Sequence, residues 1–294
     1  MTTTIGIVTV LFNSDDVLPG FFASLAKQVN IKYRLYVIDN SKTDSGSLLS
    51  RQLANLHDIT AEIVFNNANL GVAKGNNQGI ELARKDSCEY VLLSNNDIEF
   101  YESELISKLV EEMREKKFSA ITPKIYYFGM KKKIWFAGGC FSRLKATTPH
   151  YGDGEDDIGQ YDTLSTIEYS PTCFLLINSS VFESIGMMDE KYFVYYDDSD
   201  FLWRMKENNL KVGFAHARHL WHKVSYSTGG SISDFSLYYG SRNRILFIRK
   251  NYGPIMQIAS LSYFLTTRLL KIMSFGKKQR SSMIRGVIDG LKMS

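Results

Sequence analysis

The chain lacks several features that would place it in a familiar class of protein. Its 294 residues include only three cysteines, Cys88, Cys140 and Cys173, and these have no metal-ligand spacing. A disulfide scaffold or a zinc module is therefore excluded, and packing in a reducing compartment is the expected role of the three thiols. The N-terminus has no basic stretch followed by a long apolar run, so no signal peptide is predicted and a cytoplasmic body is expected.

Long apolar runs and a built-in basic face are also missing. Residues 255–275 are apolar but are interrupted by Gln257, Arg268, Lys271 and several hydroxyl residues, which is too broken for a spanning helix. Of the net charge of +4, residues 266–294 carry a local +6, which leaves about −2 on the rest. A mildly acidic body argues against nucleic-acid binding, whereas a basic C-terminus suits an anionic membrane surface. An interfacial helix and a helix packed on the domain both remain open for this segment.

Strand-like and helical segments alternate through the first half of the chain. Strands are predicted at 5–12, 34–38, 62–65 and 90–93, and helices at 17–28, 75–84 and 102–117, with residues 13–16 capping the first helix. This alternation predicts a mainly parallel sheet that binds ligands at the carboxyl ends of its strands. Polar residues follow those ends, namely Asn13, Asp39, Asn40, Asn95, Asn96 and Asp97. A mobile loop is predicted at 147–160, which is rich in glycine and aspartate.

Residues 66–79 are rich in glycine and asparagine and lead into a predicted helix. The backbone of such a segment approaches a diphosphate closely, yet the segment has neither the P-loop pattern nor the dinucleotide pattern. A diphosphate loop and an ordinary asparagine-capped turn both remain open.

Three carboxylates, Asp197, Asp198 and Asp200, stand within four residues directly after an aromatic run and before a helical stretch. Such groups repel one another unless a cation or a shared proton offsets their charge, so the cluster indicates chemistry. The alternative is a helix N-terminus, where aspartate is favoured.

Together these segments resemble the family 2 glycosyltransferases of the GT-A fold, over roughly residues 4–250. The matching features are Asp39, the loop from Asn69 to Gly79, the strand ending in Asn95-Asn96-Asp97, the acidic cluster with Arg204, and a later His222. The resemblance is to bacterial rhamnosyltransferase and galactofuranosyltransferase-like members. It implies a nucleotide-sugar half at 1–130, an acceptor and catalytic half at 131–250, a helical basic extension at 251–294, and inverting sugar transfer with Mn²⁺ or Mg²⁺.

Carried over residue by residue, the resemblance assigns a donor site to the first half. The matching positions are Val10, Phe12, Asn13 and Asp39 for the base, Asn69, Gly71, Gly75 and Asn76 for the nucleoside and diphosphate, and Asn95 and Asn96 beside them. Asp97 and His222 are implied as cation ligands, with His219 in reserve. Asn95 replaces the first aspartate of the family's Asp-x-Asp, which removes one negative charge. Arg242 is implied as a phosphate contact, and an exposed basic helix face is the alternative.

In the acidic cluster, the resemblance implies Asp198 as the general base and Asp197 as the residue that holds a sugar hydroxyl. Asp200 and Arg204 are expected to form a structural pair. The aromatic residues Trp135, Phe136, Tyr195, Tyr196 and Trp221 form either a sugar-stacking platform or part of the core. The segment 227–231 is predicted to be flexible.

The function expected from the resemblance is transfer from dTDP-rhamnose or a UDP-hexose, including UDP-galactofuranose, to a lipid-linked glycan at the inner face of the cell membrane. One alternative is a UDP-GlcNAc or UDP-Gal transferase for a protein or soluble acceptor. Another is a noncatalytic glycan-binding or scaffold subunit, which Asn95 and Asn96 would suit. Homo-oligomer formation is left open.

Overall fold

A computed structural model describes residues 4–130, 132–224 and 233–293, so the predicted flexible segment at 227–231 lies outside the described residues. The strands are β1 (Thr4–Leu11), β2 (Lys32–Asp39), β3 (Ala61–Phe65), β4 (Tyr90–Ser94), β5 (Ile98–Phe100), β6 (Ala120–Tyr127), β7 (Ile134–Phe136), β8 (Thr166–Ile167), β9 (Phe174–Asn178) and β10 (Val212–His222). The helices are α1 (Leu18–Leu25), α2 (Ser45–Leu56), α3 (Val72–Lys85), α4 (Leu105–Glu115), α5 (Ser180–Ile185), α6 (Asp197–Glu207), α7 (Asp234–Asn251), α8 (Pro254–Lys271) and α9 (Lys277–Lys292).

All of the described strands belong to one sheet, in the order β3-β2-β1-β4-β9-β6-β10-β5, with β7 beside β6 and β8 beside β10. Strands β3, β2, β1 and β4 are parallel, and β6 and β10 are parallel, but β9 pairs antiparallel with β4 and β6. The sheet is therefore mixed, and the parallel prediction describes its first four strands. Strand β9 comes after a long segment that leaves the sheet, so the local sequence does not predict in which direction β9 runs.

The predicted strands and helices of the first half are all present, with ends shifted by a few residues. The apolar run of β1 is buried on both faces, as expected of a central parallel strand. Leu11 pairs with Asp39, and Asp39 with Phe65, so the residues that follow these three strands share one edge of the sheet. The predicted cap at residues 13–16 is wrong in detail. A 3₁₀ turn (Asp15–Val17) precedes α1, and neither helix start has a side-chain cap.

The loop at 147–160 is anchored, contrary to the predicted mobility. The buried Lys124 places its Nζ 2.7 Å from Asp157 Oδ2, and Tyr127 donates its hydroxyl to Asp153 Oδ1 at 2.8 Å. Backbone bonds also join residue 134 to residues 154 and 155. Glycine and aspartate here serve a compact, hydrogen-bonded turn rather than a free one.

The C-terminal helices meet the domain in two different ways. Helix α9 lies so close to α7 that a Cβ on Gly286 would be 2.3 Å from the Tyr238 carbonyl oxygen. Helix α8 and the turn after it instead leave Ile255, Leu270 and Met273 more than 70% exposed. Packing on the domain thus describes α9, whereas an interfacial role for α8 stays a prediction. Across the described ranges, no helix is long and apolar enough to cross a membrane.

Candidate active site

A cavity of about 490 Å³ opens at the carboxyl ends of β1, β2 and β4, beside the start of α3. We call it the donor cavity. Eight of the predicted donor and cation residues line it, namely Val10, Phe12, Asn69, Gly71, Asn76, Asn95, Asn96 and Asp97. Its other lining residues are Ser14, Asn40, Val72, Phe193, Val194, Ser233 and Phe235. Of these, Ser14, Asn40, Val72, Phe193 and Val194 had a signal in the sequence, because they lie in or beside segments that the sequence singles out, whereas Ser233 and Phe235 had none.

The glycine-rich loop forms one wall of the donor cavity and is held in place by hydrogen bonds. Gly71 has φ +83°, and a Cβ there would lie 2.3 Å from the Phe193 carbonyl oxygen, which accepts a bond from Val72 N at 2.7 Å. The amide of Asn40 donates to Gly71 O at 3.0 Å, and Asn69 Oδ1 accepts from Gly71 N at 3.1 Å. Glycine is needed here both for its positive φ and for this close approach.

Three predicted first-half residues lie behind the cavity wall rather than on it. Asp39 is fully buried, and its carboxylate accepts bonds from Ser41 N at 3.0 Å and Ser47 Oγ at 2.8 Å. Asn13 donates its backbone N–H to Ser41 Oγ at 3.0 Å. At Gly75 a Cβ would lie 2.8 Å from the Val10 side chain, so glycine lets α3 pack closely on β1. Direct base contacts from Asp39 and Asn13 stay predictions.

Arg242 is also absent from the donor cavity, and it is not on an exposed helix face either. Its guanidinium donates to Lys191 O at 2.7 Å and to Asn243 Oδ1 at 2.8 Å. The buried Asn243 in turn donates to the carbonyl oxygens of Val194 and Tyr195 at 2.8 and 2.9 Å. The Arg-Asn pair therefore positions the chain segment that runs into the acidic cluster. A phosphate contact from Arg242 stays a prediction.

Asp97 and His222 come together because β5 pairs antiparallel with the end of β10. They are 8% and 6% exposed, and His222 Nε2 lies 3.1 Å from Asp97 Oδ1. Both Asp97 Oδ1 and His222 Nδ1 are buried without a hydrogen-bond partner within the described protein. A buried carboxylate oxygen in that state is an unusual and costly arrangement.

The described residues contain no group of three or more His, Cys, Asp or Glu side chains that could hold a metal ion. Asp97 and His222 together still fit a divalent cation of the Mn²⁺ or Mg²⁺ class, because such ions are commonly held by one or two side chains with phosphate oxygens and water completing the shell. The unpartnered Asp97 oxygen, on the wall of the donor cavity, is the observation that supports this fit.

The neighbours of Asp97 and His222 also have defined roles. Asn95 leaves its side chain exposed at the cavity, and its backbone N–H donates to Cys173 O at 2.8 Å. The buried Asn96 donates to Ser14 Oγ, so Ser14 supports this turn rather than capping a helix. His219, the reserve ligand, lies 3.4 Å from Glu102 and packs against two tyrosine rings, which leaves His222 as the histidine beside Asp97.

The acidic cluster forms the first turn of α6, and its backbone approach is strained. Tyr195 and Tyr196 both have left-handed φ, at +63° and +67°, which bulky residues rarely adopt. Tyr196 occupies the cap position without a side-chain cap bond, so the carboxylates are not serving as the ordinary helix cap. Strain of this kind is concentrated at functional sites.

Asp198 is the carboxylate that other side chains orient. Tyr169 donates its hydroxyl to Asp198 Oδ2 at 2.6 Å, and Ser199 N donates to Oδ1 at 2.6 Å. Burial raises the pKa of Asp198 above its usual range. Burial and then the charge of Asp198 raise the pKa of the neighbouring Asp197 to about 8. The pair therefore resists double ionisation, as expected of adjacent buried carboxyl groups.

Asp200 has the structural role predicted for it. It is fully buried and lies 2.9 Å from both Arg204 Nε and Lys250 Nζ. Asn251 also donates to Asp200 Oδ1, at 3.0 Å. The carboxylate thereby joins α6 to the end of α7 and has no access to the donor cavity.

The predicted base Asp198 and the predicted cation ligand His222 are linked by a chain of packed rings. Tyr169, which donates to Asp198, stacks on His150, and His150 and His222 both pack against Trp135. Burial, followed by the charges of Asp97 and Asp198, raises the pKa of Cys173. Burial lowers the pKa of His150, which also senses both Asp198 and His222. His150 was not predicted, because the loop that supplies it had no motif.

The predicted aromatic platform does not form one surface. Trp135 lies at the site, with its ring centroid 4.5 Å from that of His222, whereas Phe136 is fully buried. Trp221 packs on Tyr101, with centroids 4.7 Å apart. Of the two tyrosines before α6, Tyr195 packs on Phe235 of the donor cavity and Tyr196 donates its hydroxyl to a backbone carbonyl oxygen.

The family model for glycosyl transferase family 2 matches residues 6–186, which is more than half of the chain and includes most of the donor cavity wall, with Asp97. The chain belongs to glycosyl transferase family 2. It is therefore an enzyme of that family, and the resemblance inferred from the residues is confirmed.

Two relatives of this glycosyltransferase match over most of both chains. The low-salt glycan biosynthesis hexosyltransferase Agl10 of Haloferax volcanii is 23% identical, covering 99% of this chain and 92% of that protein. The dTDP-rhamnosyl transferase RfbF of Shigella flexneri is 23% identical, covering 87% and 83%.

Solved structures of glycosyltransferases share the fold. TarS 1-349 of S. aureus in complex with UDP-GlcNAc has a TM-score of 0.63 at 14% identity, covering 99% of this chain and 81% of that one. The mannosyltransferase PcManGT of Pyrobaculum calidifontis, in complex with GDP-Man and Mn²⁺, has a TM-score of 0.61 at 12% identity, covering 99% and 87%. The chain spans about half of the longer TarS chain. The GT-A fold predicted from the sequence is confirmed.

Proposed function

We propose that this enzyme transfers a sugar, with inversion and with a divalent cation, from a nucleotide-sugar to a lipid-linked glycan in surface polysaccharide biosynthesis. The donor class we propose is dTDP-rhamnose or a UDP-hexose, including UDP-galactofuranose. The names of the relatives, a glycan-biosynthesis hexosyltransferase and a dTDP-rhamnosyl transferase, support this class.

The observation that carries the proposal is the chemistry of the donor cavity wall. Among the described residues that line it there is no lysine or arginine, and Asp97 is its one charged group. A nucleoside diphosphate would bring more negative charge to a wall that offers only amides, hydroxyls, apolar groups and a carboxylate. Its binding therefore needs a cation, for which Asp97 and His222 offer an oxygen and a nitrogen.

When bound, the cation would act as a Lewis acid that neutralises the leaving diphosphate. The protein's own contribution is positional: Asp97 and His222 would hold the ion, and the asparagine-rich loop would orient the nucleoside. The bond from Asn40 to Gly71 and the bond from Val72 to Phe193 fix that loop before any donor arrives.

Asp198 is the proposed general base. Its Oδ2 is aimed by the Tyr169 hydroxyl, and its raised pKa gives it a stronger affinity for the acceptor's proton than an exposed aspartate has. As the acceptor oxygen bonds to the anomeric carbon, its proton passes to Asp198 and the bond to the diphosphate oxygen breaks on the opposite face. Asp197, held largely protonated near neutral pH by its raised pKa, would hold a sugar hydroxyl by hydrogen bonding.

Peripheral binding to the inner face of an anionic membrane is the proposed route to a lipid-linked acceptor. The exposed side chains Ile255, Ile258, Leu269, Leu270 and Met273 on α8 and the following turn support it, since they lie beside the basic C-terminus. Truncation of residues 266–294 would also remove α9 from its contact with α7, so point substitutions test membrane binding more sharply.

The double substitution Leu270→Glu with Met273→Glu should reduce flotation with anionic vesicles. The control is Ile158→Glu, at an 86% exposed residue of another loop.

The direct test of the proposed function is a nucleotide-sugar screen on the purified chain. Thermal shift with and without Mn²⁺ should identify one donor, since a ligand at 100 times its Kd stabilises by roughly 2.7 kcal/mol. Slow Mn²⁺-dependent hydrolysis of that donor should then separate an enzyme from a noncatalytic subunit. A chain that binds no nucleotide-sugar in either condition would contradict the proposal, and selective binding of UDP-GlcNAc would redirect it to the alternative donor.

A further inference from the structure

A second cavity, of about 520 Å³, is lined mainly by α7 and the end of α8, and Tyr196, which directly precedes the acidic cluster, also lines it. We call it the arginine cavity, because Arg244 and Arg268 both line it together with Tyr196, Ser241 and Phe275. None of its lining residues is shared with the donor cavity, and within the described chain none of them is a carboxylate.

Several buried polar atoms of this cavity lack partners within the described protein. Arg244 is only 9% exposed and Ser241 only 1%, yet Arg244 Nε and Ser241 Oγ have no hydrogen-bond partner. Arg268 Nε also has none, while Arg244 uses one terminal nitrogen to donate to Lys145 O. Buried donors left in this state cost free energy unless a ligand or solvent satisfies them.

The charge of the two guanidinium groups is also unbalanced. Both lie over the ring of Phe264, at 4.8 and 5.0 Å from its centroid, and neither forms an ion pair with a carboxylate anywhere in the described ranges. Burial and the charge of Arg244 lower the pKa of Arg268. Two neighbouring guanidinium groups in a partly buried site are repulsive unless an anion lies between them, and phosphate and carboxylate are the anions that their planar donor forks match.

The position of the arginine cavity relates it to the reaction. Tyr196, on its wall, directly precedes the acidic pair Asp197 and Asp198 in the chain. Ser274 and Phe275 also line it, directly after the 75% exposed Met273. The lining residues of the cavity are thus neighbours along the chain both of the acidic pair and of an exposed apolar side chain.

We propose that Arg244, Arg268 and Ser241 form a second phosphate site, which binds the phosphate group of a lipid-phosphate acceptor. The proposal rests on the proposed function for the lipid-linked nature of the acceptor. In this arrangement the headgroup phosphate lies in the arginine cavity, the sugar hydroxyl extends past Tyr196 towards Asp198, and the lipid chain leaves beside Met273. The donor diphosphate and the acceptor phosphate are then neutralised by different means in separate cavities.

The test is isothermal titration of the full chain with citronellyl diphosphate, a soluble lipid diphosphate, in EDTA so that no cation assists the donor cavity. Arg268→Gln should weaken binding at least tenfold. Lys278→Gln, which removes the same charge from an exposed position of the same basic segment, should change it less than twofold. Asp97→Ala should also leave it unchanged, because the donor cavity is not involved.

A second variant protects the test against misfolding. Arg244→Lys keeps the charge but loses the planar fork, and should weaken the titration less than Arg268→Gln while keeping the parental melting temperature. Equal binding by parent and Arg268→Gln, or loss of binding in Asp97→Ala, would overturn the proposal. Equal affinity for inorganic pyrophosphate would assign the cavity to a free anion instead of an acceptor. Failure of the donor screen would leave these results unaffected, so the two proposals fail separately.

Discussion

The chain segment that leads into the acidic cluster contributes Val194 to the donor cavity and Tyr196 to the arginine cavity, but the walls of the two cavities differ in charge. The donor cavity has a carboxylate and no cationic side chain on its described walls, whereas the arginine cavity has two guanidinium groups and no carboxylate. A wall of amides suits an anionic ligand that binds together with its own cation and dissociates once the cation is released. A wall of fixed cations suits an anion that stays bound through the reaction. The two cavities would therefore distinguish a donor phosphate from an acceptor phosphate by the positive charge that neutralises each, which is a bound cation in one cavity and arginine side chains in the other.

The largest effect is expected at Asp198, which follows Val194 of the donor cavity and Tyr196 of the arginine cavity in the chain. Asp198→Asn keeps the size of the side chain but cannot accept a proton, so transfer should fall on the order of 10²-fold or more while nucleotide affinity survives. Transfer rate and donor Kd are measured separately on proteins of matched melting temperature. Should Asp198→Asn transfer at the parental rate while Asp197→Asn is inactive, the base has been assigned to the wrong carboxylate.

The next largest effect tests whether the donor cavity depends on a cation. Asp97→Ala removes the one charged group on its described wall, so Mn²⁺-dependent affinity for UDP or dTDP should fall at least about tenfold. Asn95→Asp, which adds a carboxylate nearby, should bind equally or more tightly and serves as the opposite control. Nucleotide affinity that is the same in parent and Asp97→Ala, with and without EDTA, would mean that the two cavities do not differ in the way argued.

A smaller effect is expected where α9 packs on α7, the helix that contributes Arg244 to the arginine cavity. Gly286→Ala would place a Cβ 2.3 Å from Tyr238 O and should lower stability by roughly 1–3 kcal/mol. Gly240→Ala, within α7, meets no atom within 4 Å and should raise stability by roughly 0.5–1 kcal/mol. Urea unfolding midpoints measure both. If the two variants shift the midpoint in the same direction, the packing of α9 on α7 is looser than described.

A separate test concerns how stability depends on pH. Burial raises the pKa of Asp197 from 3.8 to about 8, so the folded state holds this proton more tightly than the unfolded state does. Stability from this group is present below the lower value and is lost as the pH rises towards the higher one. Asp197→Asn should therefore melt above the parent at pH 8 and close to it at pH 4, with a gain of roughly 2–4 °C for each 1 kcal/mol. The exposed Asp44→Asn should show no such gain, and a constant difference across the range would contradict the assignment.

Much of the donor cavity could be predicted because its residues follow strand ends that are visible in the sequence. Val10, Phe12 and the turn from Asn95 to Asp97 adjoin apolar runs whose length and composition indicate strands. The sequence indicated Asp39 and Arg242 equally well as site residues. In the fold, however, Asp39 is buried and Arg242 is hydrogen-bonded to the Lys191 carbonyl oxygen. The motifs identify these residues in the sequence, but the direction in which their side chains point depends on packing.

The sequence by itself determined the family, the parallel first half of the sheet and the acidic turn, because each depends on residues that are neighbours along the chain. The tertiary structure alone decided the antiparallel insertion of β9, the approach of His150 and Tyr169 to the site, and the meeting of Asp97 with His222. It also decided that Arg244 and Arg268, 24 positions apart, share one cavity without a carboxylate. Local sequence patterns reflect the conformation that a segment prefers by itself. The pairing of distant charges depends on how separate helices pack, and that is set by the whole core.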